Sequence, residues 1–86
     1  MKEITYYTKP DCPLCDESYP KVARLAARYG IAVTRVDIET DSVLFERHRH
    51  RIPVVELAGR ELAWGRISER GLERELRKAL RDAGST

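Results

Sequence analysis

The two cysteines of this chain stand three residues apart, in Lys9-Pro10-Asp11-Cys12-Pro13-Leu14-Cys15-Asp16-Glu17. A pair at this spacing can act as a structural staple, as half of a metal site or as a redox reagent. As a staple it does little: closing so local a loop removes roughly 2 kcal/mol of chain entropy, against about 4.7 for a loop of 100 residues. As half of a zinc site it lacks partners. Structural zinc takes four ligands, often two C-x2-C pairs or one pair with two well-spaced histidines. No second pair exists, and the histidines fall at His48-Arg49-His50. That spacing turns the rings apart on a helix, so both are expected as solvated surface residues, and no metal site is expected.

The redox reading has more physics behind it. Side chains at i, i+3 on a helix are neighbours, within bridging range after modest adjustment. Cys12 directly precedes Pro13, a residue suited to the first helical position, where its missing N–H costs nothing. Cys12 then sits where free backbone N–H groups and the helix dipole favour an anion. The thiolate is the attacking species in disulfide exchange, and an ordinary thiol with a pKa of about 8.5 is only a few per cent ionised at neutral pH. Cys15, one turn deeper, is expected to be less exposed. Cys12 is therefore the expected nucleophile and Cys15 the residue that resolves the mixed disulfide.

The elements that must hold this pair follow from patterning. Ile4 to Thr8 is β-branched and aromatic and reads as a strand ending at the Lys9-Pro10-Asp11 turn. Tyr6 and Tyr7 fall on opposite faces of it, one toward the core and one toward the surface. Val22, Leu25, Ala26 and Tyr29 carry the helical period, with Gly30 as the stop and Pro20 as an internal kink. Ile31 to Ile38 alternates as a second strand. Asp41 can cap a short helix running to about His48. Pro53 to Leu57 and Glu61 to Trp64 read as strands joined by the tight turn Ala58-Gly59-Arg60, a hairpin. Ser68 can cap a last helix with Leu72, Leu76, Ala79 and Leu80 on one face. The order β-α-β-α-β-β-α in 86 residues predicts one α/β domain with a four-stranded mixed sheet. The first two strands, joined by a helix, are expected to be parallel.

Composition excludes little and suggests less. A net charge of +2 is too small to argue for nucleic acid or membrane. Twelve of the sixteen basic residues are arginine, read as a compositional bias, with most facing acidic neighbours on helix surfaces. The first ten residues lack the apolar core of a signal peptide. No run approaches the ~20 apolar residues of a membrane span. A cytoplasmic monomer is expected, in a compartment where lasting structural disulfides are rare.

The segment Tyr7-Thr8-Lys9-Pro10-Asp11-Cys12-Pro13-Leu14-Cys15 resembles the strand-to-helix segment of glutaredoxins and thioredoxins. Pro20, five residues after Cys15, is similar to the kink proline of thioredoxins. Ile52-Pro53 resembles the element that ends in a cis-proline beside their active site, and Gly59 and Gly65 resemble glycines of the hairpin and turn that follow. The resemblance spans Ile4 to about Leu80 and implies a thioredoxin-like fold and a short glutaredoxin-like dithiol oxidoreductase. It implies the same nucleophile and resolver, a cis bond at Pro53, and pairing of the Ile52 backbone with an extended peptide. Lys9 would attract a substrate carboxylate or help keep a thiolate, and Gly65 would shape the substrate turn. Glutathione or a disulfide-bearing protein would be the substrate, recycled by a glutathione or thioredoxin system. No bound cofactor is implied.

Two departures mark this chain. Leu14 stands where glutaredoxins usually have tyrosine. Trp64-Gly65-Arg66-Ile67-Ser68 lacks the acid that would hold the ammonium of glutathione, although the helix start at Ser68 could take a carboxylate. Arg51, the last of the basic cluster Glu46 to Arg51, adjoins Ile52 and is the candidate to receive a glycyl carboxylate or an acidic protein. Trp64 is expected as a packed or half-buried strand residue. Two other readings of the pair stay open: an iron–sulfur or metal carrier, and a partner-binding module with an idle dithiol.

Overall fold

The computed structural model describes residues 2–84. Strand β1 (Glu3–Thr8) leads through the Lys9–Asp11 turn into helix α1 (Pro13–Arg28). Strand β2 (Ala32–Asp37) follows, then a short 3-10 turn (Ile38–Thr40) and helix α2 (Ser42–His48). Strands β3 (Val54–Leu57) and β4 (Arg60–Trp64) form the hairpin, and helix α3 (Glu69–Gly84) closes the fold. The sheet order is β2-β1-β3-β4, with β1 parallel to β2 and the other pairs antiparallel. The order β-α-β-α-β-β-α and the mixed sheet are as the patterning predicts. The second strand stops one residue short of the expected Ile38, because Ile38 turns inward and is fully buried as the 3-10 turn begins.

Each boundary has a local cause. Helix α1 ends where the Gly30 amide donates to Ala27 and the Ile31 amide to Ala26, the paired bonds of a Schellman stop, with Gly30 at a positive φ of 67° that suits glycine. Asp41 caps α2 by accepting from the amides of Val43 and Leu44 at 2.9 and 3.2 Å. The hairpin turns on Ala58 and Gly59, both at positive φ, the twist that matches its strands. Ser68 caps α3, its Oγ accepting from the Gly71 amide at 3.0 Å.

One face of the sheet carries the core. Ile4, Tyr6, Val55, Leu57 and Leu62 meet Val22, Leu25 and Ala26 of α1 and Leu72, Leu76 and Ala79 of α3. Arg24 and Arg28 of α1 pair with Glu69 and Glu73 of α3 across the top of this seam. Tyr7, on the other face, stacks on His48 of α2 with ring centroids 4.4 Å apart. No helix among the described residues is long and apolar enough to cross a membrane.

Strand register decides what shares an edge. Thr8 pairs with Asp37, Tyr7 with Val54, and Val54 with Trp64. The C-terminal ends of β1, β2 and β4 and the start of β3 therefore lie at one end of the sheet. The cysteine turn, the Ile52–Pro53 segment and the Trp64–Gly65 turn are gathered there.

Candidate active site

Cys12 is the N-cap of α1, in extended conformation, directly before Pro13 at the first helical position. Asp11 before it adopts a positive φ of 57°, a conformation aspartate tolerates better than most residues. That local geometry swings the chain from strand into helix and turns Cys12 Sγ back over the first turn. There it accepts the Cys15 amide at 3.2 Å. An N–H aimed at sulfur favours the charged thiolate over the thiol.

Cys12 and Cys15 are joined as a disulfide, their Cα atoms 5.2 Å apart. Cys15 has no exposure, whereas Cys12 retains 8%. The two sulfurs thus differ as their positions on the helix require, with only Cys12 presenting an edge to solvent. Leu14 is partly exposed between them, and Asp11, Asp16 and Glu17 are exposed around them.

Tyr6 supports the pair from below, through a contact that sequence reasoning missed. Its hydroxyl, wholly buried, donates to the Cys15 carbonyl at 2.7 Å. Burial holds its phenol well above the ordinary range, so it stays a donor. Its ring meets Tyr19 edge-on at 5.3 Å, and the Arg35 guanidinium lies 4.3 Å above Tyr19. The inward period of β1 marks Tyr6 as core, but only the helix packing shows where its hydroxyl ends.

The remaining candidate residues divide around the dithiol. Lys9 lines a groove of about 320 Å³ on the β2 side, with Asp11, Asp16, Arg35 and Asp37. On the β3 side the Ile52–Pro53 bond is cis and Pro53 is buried. The Gly65 amide donates to the Pro53 and Arg51 carbonyls at 2.8 and 3.0 Å, tying the turn after β4 to this segment. The Ile52 amide donates to the His48 carbonyl at 3.2 Å, alongside the Arg51 amide at 2.8 Å. With its N–H so used, Ile52 has its carbonyl left for pairing. Arg51 is engaged as well: it contacts Glu61 at 2.6 Å and lies 4.7 Å over the Trp64 ring.

Three expectations change here. His48 is buried, at 2% exposure, while His50 is exposed as expected. Neither His48 ring nitrogen has a hydrogen-bond partner among the described residues, and burial lowers its pKa below the ordinary histidine value. The cause is its place on α2, one turn after the half-buried Leu44, a spacing that sets it on the sheet-facing side under Tyr7. Trp64 is 51% exposed rather than packed, because it ends β4 at the open edge, covered on one face only by Arg51. The arginines, lastly, do not mostly face acids: those of α3 at 70, 74, 77 and 81 are exposed and pair with none of its carboxylates.

Comparison with known proteins matches residues 3–77 to the family described as Glutaredoxin-like domain (DUF836). A structural-genomics target protein from X. campestris is similar at 32% identity, covering 87% of this chain and 96% of its own, with a TM-score of 0.75. Thioredoxin 1 of Thermosipho africanus superposes with a TM-score of 0.70 at 16% identity, covering 96% of this chain and 99% of its own. A thioredoxin of Halobacterium salinarum does so at 0.68 and 21%, covering 90% and 73%. The last two establish the thioredoxin fold alone.

Proposed function

We propose, from the premise that this chain belongs to the glutaredoxin-like domain (DUF836) family, that it is a dithiol–disulfide oxidoreductase acting through Cys12. The observation that carries this reading is the asymmetry of the pair: Cys12 caps a helix, accepts an amide on its sulfur and has an exposed edge, while Cys15 is buried behind it.

The reaction starts from the reduced pair. The Cys12 thiolate attacks one sulfur of the substrate disulfide, forming a mixed disulfide and releasing one substrate thiolate. Cys15, as thiolate, then attacks Cys12 Sγ. The Cys12–Cys15 disulfide forms and the second substrate thiolate leaves, so the substrate gains two electrons and the protein loses two. Each released thiolate takes a proton from solvent or from the thiol that replaces it. Two electrons from glutathione or from a thioredoxin-type reductase restore the dithiol. The i, i+3 spacing places the resolving sulfur against the attacked one, converting the second step into an intramolecular reaction.

The residues around the pair take supporting roles. Lys9 attracts carboxylates to the β2 side of the dithiol. The Ile52 carbonyl, beside Pro53, accepts an N–H from an extended substrate, and the Gly65 amide holds that segment in place. Arg51, already held by Glu61 and Trp64, presents a fixed guanidinium edge to a substrate carboxylate. No resident cofactor takes part, and glutathione enters as a co-substrate. Either a protein disulfide or a glutathione mixed disulfide serves as oxidant, and a reducing cytoplasm suits the cycle, with the protein working as a monomer.

The test is reduction of a glutathione mixed disulfide and of a protein disulfide, each with the glutathione/glutathione reductase and the thioredoxin reductase systems. Turnover in at least one combination, abolished by Cys12→Ser, is expected. Cys15→Ser is expected to accumulate the mixed disulfide on Cys12, seen by mass spectrometry. Activity in none of the four combinations would overturn the reading.

A further inference from the structure

Helix α3 presents a row of like charges on the side opposite its core face. Leu72, Leu76 and Ala79 point into the core. Arg70, Arg74, Arg77 and Arg81, spaced i, i+4, i+7 and i+11, fall within a narrow arc on the far side and are exposed. They line one shallow groove of about 420 Å³ with Glu73 and Lys78. The four span about 16 Å of helix axis at a rise of 1.5 Å per residue.

The acids of the same helix make their ion pairs with cations other than these four. Glu69 pairs with Arg24 at 2.8 Å, and Glu73 with Arg28 at 3.3 Å and the Tyr29 hydroxyl at 2.7 Å. Glu75 pairs with Lys78 at 3.7 Å, and Asp82 with Arg60 at 2.6 Å. Among the described residues the four ridge guanidinium groups have no carboxylate partner. Like charges at i, i+4 destabilise an isolated helix, so the row runs against local stability. Such conflicts between local preference and fold concentrate where a surface has a use.

We infer that this ridge is a docking surface for an acidic segment of a partner protein, separate from the dithiol. Charge complementarity names the partner's chemistry. A helix bearing carboxylates at i, i+4, i+7 and i+11 matches the ridge in sign, spacing and length. A nucleic acid fits less well. Phosphate binding draws on many neutralised charges spread along a backbone, whereas this ridge is one short row. Residues 1–46 carry six basic against eight acidic side chains, and residues 47–86 ten against six. The basic excess of the chain thus lies in its second half, which contains the ridge.

The probe is a fluorescein-labelled helical peptide with glutamates at those four positions, titrated with the full chain and followed by fluorescence anisotropy. The comparison variant carries Arg70→Gln, Arg74→Gln, Arg77→Gln and Arg81→Gln, which keep helix propensity. Wild type is expected to bind with an affinity that falls steeply with salt. The variant is expected to bind at least tenfold more weakly, with unchanged far-UV circular dichroism and a thermal midpoint no lower than that of wild type. Amide shifts on peptide addition are expected along residues 66–82 and not at Cys12. Equal binding by the variant, or tighter wild-type binding to a DNA duplex or to phosphatidylserine vesicles than to the peptide, would overturn the inference.

Discussion

Cys12 sits between two opposing influences. The helix start and the Cys15 amide favour its thiolate, while Asp16 and Glu17 one turn on place exposed acids nearby. Like charges raise a pKa, so the acids are expected to hold back ionisation that the helix promotes. Asp16→Asn with Glu17→Gln is therefore expected to lower the Cys12 pKa, read by thiolate absorbance at 240 nm in the reduced protein. No change, or a rise, would mean that these acids do not hold back the thiolate. The pairing of the two cysteines, and which of them keeps an exposed edge, were legible because spacing and the neighbouring proline are properties of the chain. The engagement of Arg51 was not: Glu61 lies ten residues away and reaches it only once β4 has folded beside the cis-proline segment.

At the scale of elements, caps and turns were the clearest signals, since each is made by residues close in sequence. Asp41, Ser68, Gly30 and Gly59 all stand where a local rule places them. Ser68 matters to the site as well as to α3, because the Trp64–Gly65 turn leads directly into its cap. Ser68→Ala removes the acceptor for the Gly71 amide and is expected to cost about 1 kcal/mol. In a domain of this size that lowers the thermal midpoint by roughly 4–8 °C. Calorimetry showing no change would mean that solvent replaces the hydroxyl fully. The short helix α2 was legible as an element but not in its packing. Its seven residues carry too little period to show which side faces the sheet, and the rings of His48 and His50 accordingly turned out to occupy opposite environments.

At the scale of the molecule, His48 links stability to pH. It is packed under Tyr7 of β1, with Glu56 of β3, Glu61 of β4, and Arg47 and Arg51 from its own side around it. Burial is the leading cause of its lowered pKa, so the unfolded chain binds the proton more readily. Its contribution is then complete above the unfolded value of 6.5 and is lost as pH falls below it. Glu69, Glu73 and Asp82, held low by their hydrogen bonds to Arg24, Tyr29 and Arg60, add a second loss at more acid pH. The thermal midpoint is expected to fall between pH 7.5 and 5 in wild type and to stay level there in His48→Phe; equal slopes would remove His48 from the account. Because its carbonyl also receives the Arg51 and Ile52 amides, the same measurement reports on the segment beside the dithiol. The sequence by itself determined the cysteine pair, the order of elements and the local caps, since these depend on neighbours along the chain. Only the tertiary structure decided that Tyr6 bonds to Cys15, that His48 is buried, that Arg51 is held by Glu61 and Trp64, and that the acids of α3 form their salt bridges with cations other than its four arginines. Each of these depends on which elements pack together, and the strength of a contact or a charge is set by the burial and partners that packing brings.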